Sequence, residues 1–322
     1  MEPSDITRRK TEKLVEAGYQ HLQEGNAEAA LKVAEELESL RFTATFEIAA
    51  LAHFQLGDIE AAVAVLKRGV KVAPTVWGNW QLLGNCLSDL GRYDDAASAY
   101  ENALECGGAS MSSIRLNQAI LASRRGRHDQ ALSYVEQVTE PDLAIHAVSV
   151  LVTALVGVGK VDEAVGVGEA ALRKGAPDDS EEFAYLAASV GRARLARGES
   201  AREIVAFAID ALDDYDRSNA GLLALIRDAD GQCSAVAKYY RMTVDAKIPV
   251  TDPLSQRGEG YVVNYDVVAD SVDEALAFVE RMETPVVRGN LFVDEHEALE
   301  DRPTDPKGVY KRTARHYYDR ES

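Results

Sequence analysis

The chain has 322 residues, with 53 acidic against 35 basic side chains and a formal net charge of −18. That balance argues against a general nucleic-acid binder, because phosphate neutralisation supplies most of the non-specific affinity of such proteins. No run of about 18 apolar residues occurs, so no helical membrane span is expected, and three scattered cysteines, Cys86, Cys106 and Cys233, fit a reducing, cytoplasmic setting better than a disulfide framework.

Met1 to Lys10 is charged without an apolar stretch, so no secretory leader is expected there. A repeating pattern follows. Leu14, Ala17, Gly18, His21, Gly25, Ala30, Ala34 and Leu37 set a template. It returns, after a slightly different connection, as Phe46, Ala49, Ala50, His53, Gly57, Ala62, Leu66 and Gly69. The next copy is Trp80, Leu83, Gly84, Leu87, Gly91, Ala96, Tyr100 and Ala103, with Gly57 and Gly91 34 residues apart. Further copies are keyed on Gly126 and on Gly159, and a degenerate one on Gly191 and Gly198. A fixed period of this length marks one supersecondary unit stacked on itself.

Each position has a physical reason. The large apolar residues recur at helical spacing and form one face of each helix. Gly84 and Ala96 are small where two helices cross. Gly91 occupies the turn between them, where a left-handed backbone favours glycine. Asp94 and Asp95 suit a helix N-terminus, and Pro74 ends the preceding helix. The pattern predicts about five helix pairs between residues 5 and 213, then one capping helix near Asn219 to Ala229.

These motifs, Trp80 with Leu83-Gly84 and Leu87, then Gly91, Ala96, Tyr100 and Ala103, with Pro74 closing the previous copy, resemble the tetratricopeptide repeat. The resemblance implies a mostly α fold, an α-solenoid over residues 5–232, and a groove that binds a protein or peptide. It also implies which side chains line that groove: Tyr19, then Glu47, Leu51, Phe54 and Gln55, then Gln81, Asn85 and Asp89, then Leu116, Asn117 and Arg124. Phe54 is the leading anchor, since the template gives it no packing role within its own repeat. The chaperone-binding subset of the family clamps a C-terminal carboxylate with asparagines and cations. Asn85 and Asn117 match the asparagines, but Gln81 stands where a lysine is needed, and a desolvated carboxylate without its cations is costly. That subtype is therefore not expected.

Near residue 233 the periodicity changes from 3.6 to two. Lys238 to Ile248 alternates like a half-buried strand, and Tyr261 to Val268 reads as a second. Ser271 and Glu274 form a capping box, which opens a helix ended by Thr284-Pro285. Val286 to Val293 reads as a third strand, and Gly308 to Thr313 as a fourth strand or an ordered tail. Residues 233–322 are thus expected to be a small α+β domain built on a split β-α-β core, and the sequence attaches no family to it.

Chemistry-bearing clusters are few. Lys307, Lys311, Arg312, Arg315, His316 and Arg320, interleaved with Tyr310, Tyr317 and Tyr318, read either as an anion surface or as a segment docked on the chain's own acids, the latter being favoured. Asp294-Glu-His-Glu297 lacks the ligand spacing of a metal site. No glycine-rich phosphate loop and no partnered nucleophile stand out. No catalytic set, metal or cofactor is expected, and the chain reads as a non-enzymatic adaptor for a protein or peptide. Two other classes stay open: an immunity- or inhibitor-type protein covering a toxin or enzyme, and an enzyme or ligand sensor acting through residues 233–322.

Overall fold

A computed structural model of the chain describes residues 5–175, 181–215 and 218–319. Its contacts divide it into two compact units, Met1–Val150 and Leu151–Ser322. In the first, helices follow one another in pairs: α1 (Asp5–Gln23) with α2 (Ala27–Ser39), α3 (Ala44–Gln55) with α4 (Ile59–Val72), α5 (Trp77–Asp89) with α6 (Tyr93–Glu105), and α7 (Met111–Arg124) with α8 (His128–Val135). The division falls inside α9 (Ala144–Gly157). In the second unit, α10 (Val161–Leu172), α11 (Glu181–Arg197), α12 (Ala201–Asp214) and α13 (Ala220–Asp230) precede the strands. Ahead of the strands, the described residues thus hold thirteen α-helices, the first eight of them in four pairs, against about five pairs and one capping helix expected.

The repeat grammar explains the pairing. Gly25, Gly57, Gly91, Gly126, Gly159 and Gly198 all have φ between 69 and 95°, the left-handed turn that lets the second helix fold back on the first and that a Cβ disfavours. Asp58 caps α4 by accepting from the Ala61 amide at 2.9 Å. Leu66, Leu83, Ala96, Tyr100 and Ala103 close a continuous core between pairs. Tyr100 is only 2% exposed, and burying an aromatic of this size contributes roughly 1.5–3 kcal/mol. The space it needs comes from Gly84, where an added Cβ would lie 2.4 Å from the Tyr100 ring. At the crossing of α5 and α6 the small residue at 84 thus makes room for a tyrosine of the partner helix.

The strands are β1 (Lys238–Lys247), β2 (Gly260–Ala269), β3 (Leu291–Asp301), β4 (Gly308–Arg312) and β5 (His316–Tyr318), with α14 (Val272–Met282) between β2 and β3. Their order is β3-β1-β2-β4, with β5 also pairing β2. Both β2 and β3 run antiparallel to the β1 strand between them, so they are parallel to each other and α14 is the crossover of a split β-α-β unit. Tyr240, Met242, Val244 and Ala246 of β1 alternate inward, and they share one core with Leu222, Leu223 and the buried alanines of α11 and α12. Helical and sheet residues on either side of position 232 thus bury one another.

Three local expectations change. The third strand begins only at Leu291: Pro285–Val287 forms a 3-10 turn and Gly289 has φ 81°. It then continues through the acidic run to Asp301 as an edge strand whose outer residues are exposed, a place where charge is tolerated and discourages unwanted pairing. A fifth strand, His316–Tyr318, adds to the four expected. The cap of α14 keeps the Ser271 half, its hydroxyl accepting from the Glu274 amide at 3.2 Å, while the Glu274 carboxylate takes the Asp270 amide at 2.7 Å rather than that of Ser271. Asn219 caps α13 through the Leu222 amide at 3.1 Å.

Candidate functional site

On the first unit, α3, α5 and α7 turn their outward stripes to one side and enclose two adjoining cavities. One, of about 390 Å³, is lined by Glu47 and Leu51 of α3 and by Trp77, Gln81, Leu82 and Asn85 of α5. The other, of about 290 Å³, adds Phe54, Asp89, Asn117, Ile120 and Arg124. Leu51, Leu82 and Asn85 border both, so the two form one groove across three helices. Phe54 is 44% exposed at its rim.

Polar atoms in the groove differ in what they are tied to. Gln81 donates to the Ser113 hydroxyl at 2.6 Å, bridging α5 and α7. Arg124 donates to Asp89 at 2.6 Å and to Ser88 at 2.9 Å, so its charge is neutralised in place. The Tyr100 hydroxyl donates to Asn85 Oδ1 at 2.8 Å, which fixes that carboxamide, and its Nδ2 has no partner among the described residues. Asn117 has no hydrogen-bond partner among the described residues. Cys86 lies at the floor, fully buried, and burial together with the Asp89 charge pushes its thiol up to about 11. A thiol held protonated in this way is a weak nucleophile at neutral pH.

Eight of the eleven residues placed in the groove from sequence line these cavities: Glu47, Leu51, Phe54, Gln81, Asn85, Asp89, Asn117 and Arg124. Gln55 instead donates to the Leu22 carbonyl at 2.8 Å, holding α1 against α3. Tyr19 packs beside Glu47; burial and then that carboxylate raise its phenol above the ordinary value. Leu116 is buried at 6% exposure and faces the core. Trp77 and Leu82 were missed. Trp77 sits four before Gln81 and Leu82 three before Asn85, and that spacing on one helix face was the available signal.

The basic, tyrosine-rich C-terminal segment is tied into its own domain. Glu283, 2% exposed, accepts from Arg312 Nη2 at 2.7 Å, from Arg315 Nη2 at 2.5 Å, from the Tyr261 hydroxyl at 2.5 Å and from that of Tyr265. Burial works to raise its pKa, but the two guanidiniums and the tyrosine hydroxyls hold it down, at about 2. Lys307 bridges Asp270 at 2.9 Å and Glu274 at 2.7 Å. Tyr317 packs on Tyr261 with ring centroids 5.5 Å apart, and the Tyr318 hydroxyl bonds Asp245. Lys311 and His316 stay exposed, and Arg320 lies outside the described residues. Among the described residues no group of three or more His, Cys, Asp or Glu side chains converges as a metal site requires.

Comparison with known proteins gives two family matches: the model for "Anaphase-promoting complex, cyclosome, subunit 3" over residues 23–103, and the "Tetratricopeptide repeat" model over residues 82–143. The chain carries tetratricopeptide repeats. Among solved structures, its fold is similar to the APC/C hetero-tetramer Cut9-Hcn1, at a TM-score of 0.53 and 14% identity, over 66% of this chain and 41% of that one. It is similar also to PilW, a type IV pilus biogenesis factor, at a TM-score of 0.51 and 14% identity, over 66% of this chain and 94% of that one. A thermophilic tetratricopeptide protein of Thermus thermophilus aligns at 21% identity and a TM-score of 0.47, over 56% of this chain and 98% of that one. No curated protein matches the sequence.

The family matches fall on residues 23–143, which include every residue lining the two cavities. No described helix is both long and apolar enough to cross a membrane.

Proposed function

We propose that this protein is a non-enzymatic adaptor that holds a peptide or protein segment in the groove of α3, α5 and α7. Residues 233–322 supply an α+β segment whose sheet shares a core with the helices just before it. The observation that carries the reading is the state of the groove's polar and aromatic groups. The Nδ2 of Asn85 and the whole carboxamide of Asn117 remain open beside a half-exposed Phe54. Carboxamides of this kind read the amides and carbonyls of an extended backbone, and an aromatic rim supplies the apolar anchor that concentrates binding energy.

The partner is not of the carboxylate-clamp type. Gln81 is neutral and engaged with Ser113, while Arg124 is held by Asp89. A terminal carboxylate entering here would find no unpaired cation and would meet Glu47 and Asp89. A neutral or basic segment fits better. The family's usual role as a non-enzymatic interaction module supports the same reading.

The test uses the full chain as bait in lysate, beside a Phe54→Ala/Asn117→Ala variant with unchanged helicity and melting temperature. The expected outcome is a reproducible partner set held by the parent chain and lost by the variant. Retention of the same set by the variant would remove the groove from the mechanism.

A further inference from the structure

A second groove lies on another side of the same unit, between α4 and α6, with α5 as its floor. It has a volume of about 510 Å³ and is lined by Lys67, Lys71, Trp80, Arg92, Asp95 and Asn102 above an apolar base of Val70, Leu83 and Leu87. None of these residues borders the groove of α3, α5 and α7.

Its charges are unusual for so acidic a chain. Arg92 is paired with Asp95 at 2.5 Å, and Arg68, the sequence neighbour of Lys67, pairs with Glu38. Lys67 and Lys71 themselves have no ion pair among the described residues. They stand one turn apart on α4, so their Cβ atoms are about 5–6 Å apart, and they leave the groove with two uncompensated positive charges. Trp80 is fixed between the walls, since its ring N–H donates to the Pro74 carbonyl at 2.8 Å. The ring is half-exposed and, with its N–H already engaged, offers a partner only its apolar and π surface. Ser98 donates to the Asp94 carbonyl at 3.1 Å and Asn102 to the Ser98 carbonyl at 2.8 Å, so the opposite wall presents little further donor capacity.

We infer that this second groove docks an acidic amphipathic helix of a partner protein, seated between α4 and α6. Two glutamates at i and i+4 on such a helix match the spacing of Lys67 and Lys71, and an adjoining apolar stripe covers Trp80, Leu83 and Leu87. Two helical walls on a helical floor accept a further helix by the ridge-and-groove geometry that packs the repeats themselves. The net charge of −18 repels an acidic partner elsewhere, so the lysine pair also sets where it lands.

The chain's two tryptophans allow each groove to be watched separately, because Trp77 borders the first and Trp80 the second. The full-length Trp77→Phe variant, with Trp80 as sole reporter, is titrated with a synthetic 16-residue helical peptide carrying glutamates at i,i+4 and an adjoining leucine stripe. The expected result is a saturable shift of Trp80 emission that weakens with salt. Affinity should fall about tenfold, the effect of losing two partly exposed ion pairs, when glutamines replace the peptide's glutamates or in the Lys67→Gln/Lys71→Gln background. The Trp80→Phe variant should show no shift of Trp77. Equal binding of the glutamine peptide to the parent lysines would overturn the proposal without reference to any lysine variant. An equal response to inorganic pyrophosphate would overturn it in favour of a small-anion site. Concentration-dependent self-association abolished by the lysine changes would overturn it in favour of a second copy of the chain.

Discussion

Behind the sheet, one carboxylate, Glu283, is closed off by two tyrosines and two arginines, and three of the basic residues that crowd the C-terminus in sequence, Lys307, Arg312 and Arg315, are paired with carboxylates nearby. On the face of α3, α5 and α7 the composition is milder: carboxamides, an exposed phenylalanine and one neutralised arginine. Yet Asn117 and half of Asn85 remain without partners there among the described residues. Counting chemistry-bearing residues would rank the C-terminal cluster first. Asking which polar atoms are left open ranks the groove first, because a group already satisfied within the fold has little left to offer a ligand.

The largest expected effect tests the structural half of this contrast. Glu283→Gln leaves two buried guanidiniums facing a neutral acceptor, and breaking a buried ion pair in this way costs about 3–5 kcal/mol. Urea unfolding at neutral pH measures it; a loss below about 1 kcal/mol would mean that the network is not what holds the sheet end together. The same group predicts an acid dependence. Its folded pKa, about 2, lies below the ordinary 4.5, so its stabilisation is complete above pH 4.5 and is lost as pH falls towards 2. The parent chain should lose stability more steeply than the glutamine variant across that window.

A smaller effect compares two glycines of one helix. At Gly84 a Cβ would meet the Tyr100 ring at 2.4 Å, whereas at Gly78 the nearest atom is 4.0 Å away, on Glu47. Gly84→Ala should therefore destabilise by about 1–3 kcal/mol through overpacking, while Gly78→Ala should stabilise by about 0.4–1 kcal/mol through the unfolded chain. Thermal melts of the pair check the opposite signs. Equal shifts would place Gly84 in the wrong register.

The helical half was legible because its signals are local and repeat: the turn glycines, the small residue opposite Tyr100 and the helical spacing of the apolar face each recur. Strand β1 was legible because one face is buried and alternation follows, whereas β2 is buried at nearly every position and was legible from its run of valines and tyrosines. Strand β3 was not, because most of it lies at an edge with both faces wet, so nothing forces its residues to alternate. In the groove, period and template placed Leu51, Asn85 and Asn117. They carried no information on which side chains a neighbour already engages, so Gln55 and Arg124 looked as open as Asn117. Those partners, the Leu22 carbonyl and Asp89, are 33 and 35 residues away in sequence.

The smallest effect is the sharpest test of that distinction. Gln81 and Asn117 are both carboxamides on first helices of neighbouring repeats, and both line the groove. Gln81 bridges to Ser113, so Gln81→Ala should cost about 0.5–1.5 kcal/mol, the net value of one hydrogen bond. Asn117 has no partner among the described residues and sits inside α7, where alanine is the better helix former, so Asn117→Ala should be neutral or stabilising by up to about 0.5 kcal/mol. Partner capture should show the reverse order, with Asn117→Ala weakening it more than Gln81→Ala. A residue whose removal leaves the fold unharmed but binding impaired is one that the fold does not need. If Asn117→Ala instead destabilised the protein as much as Gln81→Ala, that carboxamide would be structural too, and the case for the groove would rest on Phe54 alone.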